Sequence, residues 1–148
     1  MPSSVSFQNL TELEIFKCHG LINLVTSPTA KSLVQLKKMS VSECESITEI
    51  VTREGGEAND DEVISFSNLS YLKLDCLPRL TNFCSGSYCL ELPSLEEVIV
   101  RRCQEMKIFS HGDLRTPKLQ RVEATKEDEW HWKDDLNSTI HWLSEAKL

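Results

Sequence analysis

Five segments of the chain line up on Leu10, Leu36, Leu69, Leu95 and Leu119, and this self-similarity constrains the fold more than any other feature. The first four units read FQNLTELEIFKCHGLINL, LVQLKKMSVSECESITEI, FSNLSYLKLDCLPRLTNF and LPSLEEVIVRRCQEMKIF. Three residues before the anchor stand Phe7, Leu33, Phe66 and Leu92, and three after it Leu13, Met39, Leu72 and Val98. Five after it stand Ile15, Val41, Leu74 and Val100, and eight after it Cys18, Cys44, Leu77 and Cys103. Apolar residues return eleven and fourteen positions on, at Leu21/Leu24, Ile47/Ile50, Leu80/Phe83 and Met106/Phe109. Each unit is too short to bury its own apolar face, so the units must stack on one another along an axis.

The shared core is L-x-x-L-x-L-x-x-C/L, the leucine-rich-repeat pattern in its cysteine variant. The L-x-L stretch alternates with period two, so it reads as a strand with one apolar face. Strands are expected at Leu13–Ile15, Met39–Val41, Leu72–Leu74, Val98–Val100 and Val122–Ala124, parallel and in chain order. The expected fold is an α/β leucine-rich-repeat solenoid of about five coils. It has a parallel concave sheet, an irregular convex side and a C-terminal capping helix. Cys18, Cys44 and Cys103 should be buried, reduced and roughly one above another, acting as small apolar fillers. Their alternative use as metal ligands is disfavoured, because one ligand per coil converges poorly on a tetrahedral ion.

Anchor spacings of 26, 33, 26 and 24 residues place seven extra residues in the second unit, within Thr52–Glu62. That stretch holds five acids, one Arg and Gly55-Gly56, and reads as a solvated loop; it lacks the residue order of a calcium loop. Ser27 as N-cap and Pro28 at the first helical position suggest a short convex helix up to Leu33. The repeat fades after Glu127, so the chain divides into a solenoid over 1–127 and a cap over 128–148. Asp134 or Asp135 can start a helix with Leu136, Ile140 and Leu143 on one stripe, while Trp130, Trp132 and Trp142 can cover the last coil. The six residues before Phe7 cannot hide a coil's apolar edge, so the sequence reads as the C-terminal piece of a longer solenoid.

Net charge of −7 over 148 residues disfavours a nucleic-acid partner, since phosphate binding needs a basic surface. No apolar run is long enough to span a bilayer, and the start lacks a basic and an apolar signal region. Without a secretion signal, six cysteines and no C-x-x-C read as reduced thiols in the cytosol.

The chain resembles the C-terminal leucine-rich-repeat region of plant nucleotide-binding disease-resistance proteins of the coiled-coil class. The resemblance rests on Phe7 to Leu24, on AKSLVQLKKMSVSECESITEIV at Ala30 to Val51 and on LPSLEEVIVRRCQEMKIF at Leu92 to Phe109. The closing TPKLQRV and WKDDLNSTI, the latter at Trp132 to Ile140, look like the usual end of such chains. It implies an intracellular, cytoplasmic receptor whose repeats help recognise a pathogen effector or a guarded host protein and restrain a nucleotide switch. With no G-x-x-x-x-G-K-[ST] here, no cofactor is expected in this chain; ADP or ATP would belong to an upstream nucleotide-binding domain. The run from Cys44 to Thr48 also resembles the cysteine-containing repeats of F-box substrate receptors of ubiquitin ligases, whose spacing is more regular.

No catalytic residues are expected. Cys18 and His19 are sequence neighbours, which does not make a nucleophile–base pair, and a thiol- or metal-dependent enzyme is the weakest alternative. Function then falls on the outward phase of the strands. Candidate protein contacts are Phe16, Lys17, Lys38, Tyr71, Lys73, Ile99, Arg101, Arg102 and Arg121. Phe16, Tyr71 and Ile99 read as exposed anchors with no core to join, and the arginines as a basic end suited to an acidic partner.

Overall fold

The structure is a computed structural model describing residues 11–26, 30, 33–52, 63–84, 89–110, 112–119, 122–123, 130–132 and 135–146. Described strands run β1 (Glu12–Phe16), β2 (Asn23–Thr26), β3 (Lys38–Ser42), β4 (Glu49–Thr52), β5 (Val63–Ser65) and β6 (Tyr71–Asp75). They continue as β7 (Asn82–Cys84), β8 (Cys89–Glu91), β9 (Glu97–Arg101), β10 (Leu114–Arg115), β11 (Val122–Glu123) and β12 (Trp130–His131). A helix, α1 (Leu136–Ala146), closes the order.

Every alternating segment becomes a strand, and the order β1-β3-β6-β9-β11 is parallel throughout. The register matches the repeat: Leu13, Met39, Leu72 and Val98 are neighbours, as are Ile15, Val41, Leu74 and Val100. The side away from this sheet is more regular than expected. The apolar residues fourteen after the first three anchors, Leu24, Ile50 and Phe83, sit in a second parallel sheet, β2-β4-β7, which a backbone bridge between Cys84 and Ser110 extends just past Phe109. A third, β10-β8-β5, carries the chain back toward the next anchor. Each coil is therefore three-sided. Three coils show all three sides among the described residues, fewer than the five expected, because the first and last units lack one or more of them there.

The other conserved offsets are corners. Amides of Leu36, Leu69 and Leu95 donate to the carbonyls of Leu33, Phe66 and Leu92 before the strand. Those of Leu80 and Met106 donate to Leu77 and Cys103 after it. Each pair closes a four-residue turn whose two apolar ends both point inward, which is why the offsets come as −3/0 and +8/+11. Hydroxyl side chains then bind one coil to the next: Thr48 Oγ1 donates to Ile22 O, Thr81 Oγ1 to Thr48 O, Ser70 Oγ to Lys37 O and Ser94 Oγ to Ser67 O.

One buried column of side chains runs along the axis. Phe83 and Phe109 stack with centroids 4.7 Å apart, and Phe66 meets Phe83 edge-on at 6.2 Å. The second to fourth coils are sealed, whereas Leu13, Ile15, Leu21, Leu24 and Val25 of the first coil are only half-buried. At the other end, β12 pairs antiparallel with β11, and α1 buries Leu136, Ile140 and Leu143 as its stripe predicts. Asp135 is the cap: its Oδ1 accepts from Ser138 N at 2.7 Å. Asn137 Oδ1 accepts from the amides of Phe109 and Ser110, and its Nδ2 donates to Ser110 O. One amide side chain thus takes the place of the next strand at the edge of the β2-β4-β7 sheet.

The expected helix from Ser27 falls mostly outside the described residues, of which Ala30 is helical and buried and Leu33 buried. The acidic stretch expected as a loop lies outside them too, except for Thr52, which belongs to β4.

Candidate functional site

The inward phase is filled by core residues, so the outward phase of the parallel sheet presents three rows of side chains. The first positions of successive strands are Glu12, Lys38, Tyr71 and Glu97. The third positions are Glu14, Ser40, Lys73, Ile99 and Glu123. The fifth are Phe16, Ser42, Asp75 and Arg101.

A fourth row follows from a backbone device that sequence reading missed. Lys17, Glu43, Cys76 and Arg102, the residue after each strand, all have φ between 52° and 56°. For a residue with a Cβ this conformation costs roughly 1–2 kcal/mol. It recurs because the alternation must slip by one: apolar offsets run three, five, then eight. The left-handed residue absorbs the slip and turns the following Cys or Leu inward. In three coils its amide also donates to the next coil, Lys17 to Ser42 O, Glu43 to Asp75 O and Cys76 to Arg101 O. The absence of glycine at these positions hid the turn from sequence reasoning.

The inward Cys column differs in burial. Cys44 and Cys103 are buried, and Cys18, Cys44 and Cys103 stand as thiols outside any disulfide. Cys18 is half-buried, against expectation, because it lies in the open first coil. Burial pushes the Cys44 thiol up, and that of Cys103 up to about 12. Thiols held protonated in this way are poor nucleophiles and poor metal ligands. Among the described residues, no group of three His, Cys, Asp or Glu side chains is placed to hold a metal ion. His19 Nδ1 lies 3.9 Å from Glu45 Oε2, at a hollow of about 180 Å³ lined also by Lys17, Glu43, Cys76 and Pro78.

The sequence-derived contacts separate into three groups. Phe16 is 58% exposed, with Lys17 Nζ 5.0 Å from its ring centre. Lys38 Nζ stands 5.0 Å over Tyr71, which is half-buried, as are Lys38, Lys73 and Arg101. Ile99 corrects the expectation of an exposed anchor. It is 6% exposed, because its branched side chain sits between the longer Lys73 and Glu123 of the flanking strands and Glu97 and Arg101 of its own. Arg121 lies outside the described residues.

Electrostatics tie the rows together. Asp75 Oδ1 accepts from Arg102 Nε at 3.1 Å and Nη2 at 2.9 Å, which raises the Arg102 pKa. Burial pushes the Tyr71 phenol up; Glu97 and Glu123 add to the shift, and Arg101 opposes it. Arg101 Nε is buried with no hydrogen-bond partner among the described residues. Such an orphaned donor typically costs about 1–3 kcal/mol.

Comparison with known proteins identifies the family of these repeats. Residues 1–123 match the family described as plant disease resistance protein RPS2-like, leucine-rich repeats. The chain belongs to this family. The match decides between the two repeat-protein resemblances in favour of disease resistance over the F-box receptors. Among curated relatives from Arabidopsis thaliana, the probable disease resistance protein At5g47260 is 35% identical over 143 residues, 95% of this chain and 14% of that protein. Disease resistance protein UNI is 27% identical over 140 residues, 90% of this chain and 15% of that protein. The probable disease resistance protein At1g61190 is 26% identical over 139 residues, 90% and 14% respectively. These repeats therefore span about one seventh of the length of the curated relatives they match. No solved structure matches the chain. No helix among the described residues is long and apolar enough to cross a membrane.

Proposed function

We propose that the chain is the protein-interaction module of an intracellular plant immune receptor. Its concave rows contact a pathogen effector or a guarded host protein, and its repeats restrain a nucleotide-binding switch located outside this chain. ADP or ATP would act there, and the part played here is binding rather than catalysis. The observation that carries the reading is the continuous outward surface of the parallel sheet. On it a largely exposed Phe16 and the Lys38–Tyr71 stack are held by strands whose other face is core. Rigid aromatic and cationic side chains of this kind dominate protein interfaces. Membership of a disease-resistance family supports the same reading.

The test is made in a full receptor that carries these repeats. Phe16→Ala and Tyr71→Ala should each weaken co-purification of the recognised protein by about tenfold or more, the scale of an interface anchor. Ile22→Ala, equally exposed but off the concave sheet, should leave it unchanged. Loss with Ile22→Ala alone would move the contact to another face.

A further inference from the structure

Asp75 and Arg101 are neighbours in the register of β6 and β9, yet they do not pair. The left-handed turn at Arg102 brings its guanidinium back over β6, where Nε and Nη2 both donate to Asp75 Oδ1. Asp75 is only 9% exposed, so its charge is taken up in that contact. Arg101 is left without a carboxylate within 4.0 Å among the described residues, and its Nε has no acceptor. The other charges around it are Lys73 on β6, Glu97 at the start of its own strand and Glu123 on β11. Both glutamates and Arg101 act on Tyr71, but neither glutamate comes within 4.0 Å of the Arg101 guanidinium. Among the described residues, the strand-exit edge of the sheet thus holds a half-buried cation whose register neighbour Asp75 is already engaged.

We propose that Arg101 receives a carboxylate side chain from an acidic segment of the partner protein. Arg102 is the positioning residue that keeps Asp75 from occupying that place. The assignment rests on the concave-face reading above and names the partner chemistry that face takes. With Nε buried, the incoming carboxylate meets the end of the guanidinium fork, Nη1 and Nη2, a bidentate geometry that lysine cannot reproduce. A singly charged carboxylate also suits this place better than a dianionic phosphate, because Glu97 and Glu123 share the same sheet face.

The arrangement separates a binding role from a structural one, since two substitutions on the same ion pair act in opposite directions. Asp75→Asn removes the competing charge and should tighten binding. Arg102→Ala releases Asp75 to pair with Arg101 and should weaken it. A merely structural pair would shift both the same way.

The experiment follows the backbone amide resonances of Lys73, Asp75 and residue 101 in the whole chain, with the Nε–Hε resonance added wherever Arg101 is kept, while acetyl-tetraaspartate amide is added at low salt. Acetyl-tetralysine amide and a phosphoserine peptide serve as comparison arms. The expected result is a saturable shift with tetraaspartate alone, about tenfold weaker in Arg101→Gln and intermediate in Arg101→Lys. Asp75→Asn should bind about threefold tighter, and Arg102→Ala about threefold weaker. No shift up to about 10 mM peptide, or weakening by both Asp75→Asn and Arg102→Ala, overturns the proposal. Tighter binding of the phosphoserine peptide would replace carboxylate by phosphate. The receptor assay keeps the two readings apart. Loss of recognition with Phe16→Ala but not with Arg101→Gln leaves the docking face standing and rejects the carboxylate site. Indifference to both rejects the docking face as well.

Discussion

The two ends of the solenoid carry the same repeat and are finished differently. At the first coil, Leu13, Ile15, Leu21 and Leu24 are half-buried, and Phe16 and Ile22 are 58% and 63% exposed. At the last, Leu119 and Val122 are buried, β12 covers the edge of β11, and Asn137 satisfies the free amides of Phe109 and Ser110. The difference shows that an apolar offset creates a core position only where a neighbour stacks on both sides. In a solenoid, burial belongs to the interface between coils and not to the coil itself.

The sharpest way to break that comparison is to make the same truncation at equivalent positions. Leu74→Ala, fully buried in the third coil, should cost about 2–5 kcal/mol, while Leu13→Ala in the first should cost about 1 kcal/mol. Denaturant melts giving the reverse order would contradict the coil assignment. A second contrast lies in the Cys column. The folded-state pKa of Cys103 is raised from 9.0 to about 12, so the folded state holds a proton that the unfolded state has lost. Its contribution is fully present below about pH 9 and declines above it, by at most about 1.4 kcal/mol per pH unit up to the folded pKa. Cys103→Val should flatten the fall seen in melts between pH 9 and 11.

A smaller effect tests the finished end. Asn137→Ala removes the acceptor of two amides at a sheet edge and should cost about 1–3 kcal/mol, read as a lower melting midpoint. Phe16→Ala should change stability least, within about 0.5 kcal/mol, because a largely exposed side chain contributes little packing. A large loss there would mean that Phe16 is structural and no free anchor.

These contrasts also mark what was legible in the sequence. The concave strands and their order were readable because period-two alternation has a definite phase, as at Leu72 and Leu74. The helix stripe at Leu136, Ile140 and Leu143 was readable for the same reason. The other two sheets were not, since each of their strands carries few inward residues, such as Phe83 in β7, and two or three residues set no period. The turn row was hidden because Lys17, Glu43, Cys76 and Arg102 adopt a conformation usually signalled by glycine. Ile99 misled for a different reason. Phase gives the face a side chain points to, but burial on that face depends on how long its neighbours are. The Asp75–Arg102 pair was invisible because of the hidden turn: register makes Arg101 the neighbour of Asp75, and only the turn explains why Arg102 takes the contact.

Residue-resolved hydrogen exchange of the whole chain tests the stacking account most directly. Amides bonded between β6 and β9 should exchange slowest, at rates set by global unfolding. Those that join β1 to β3 should exchange much faster, through local opening of a coil sealed on one side. Equal slow exchange in β1 and β6 in a monodisperse monomer would contradict the account.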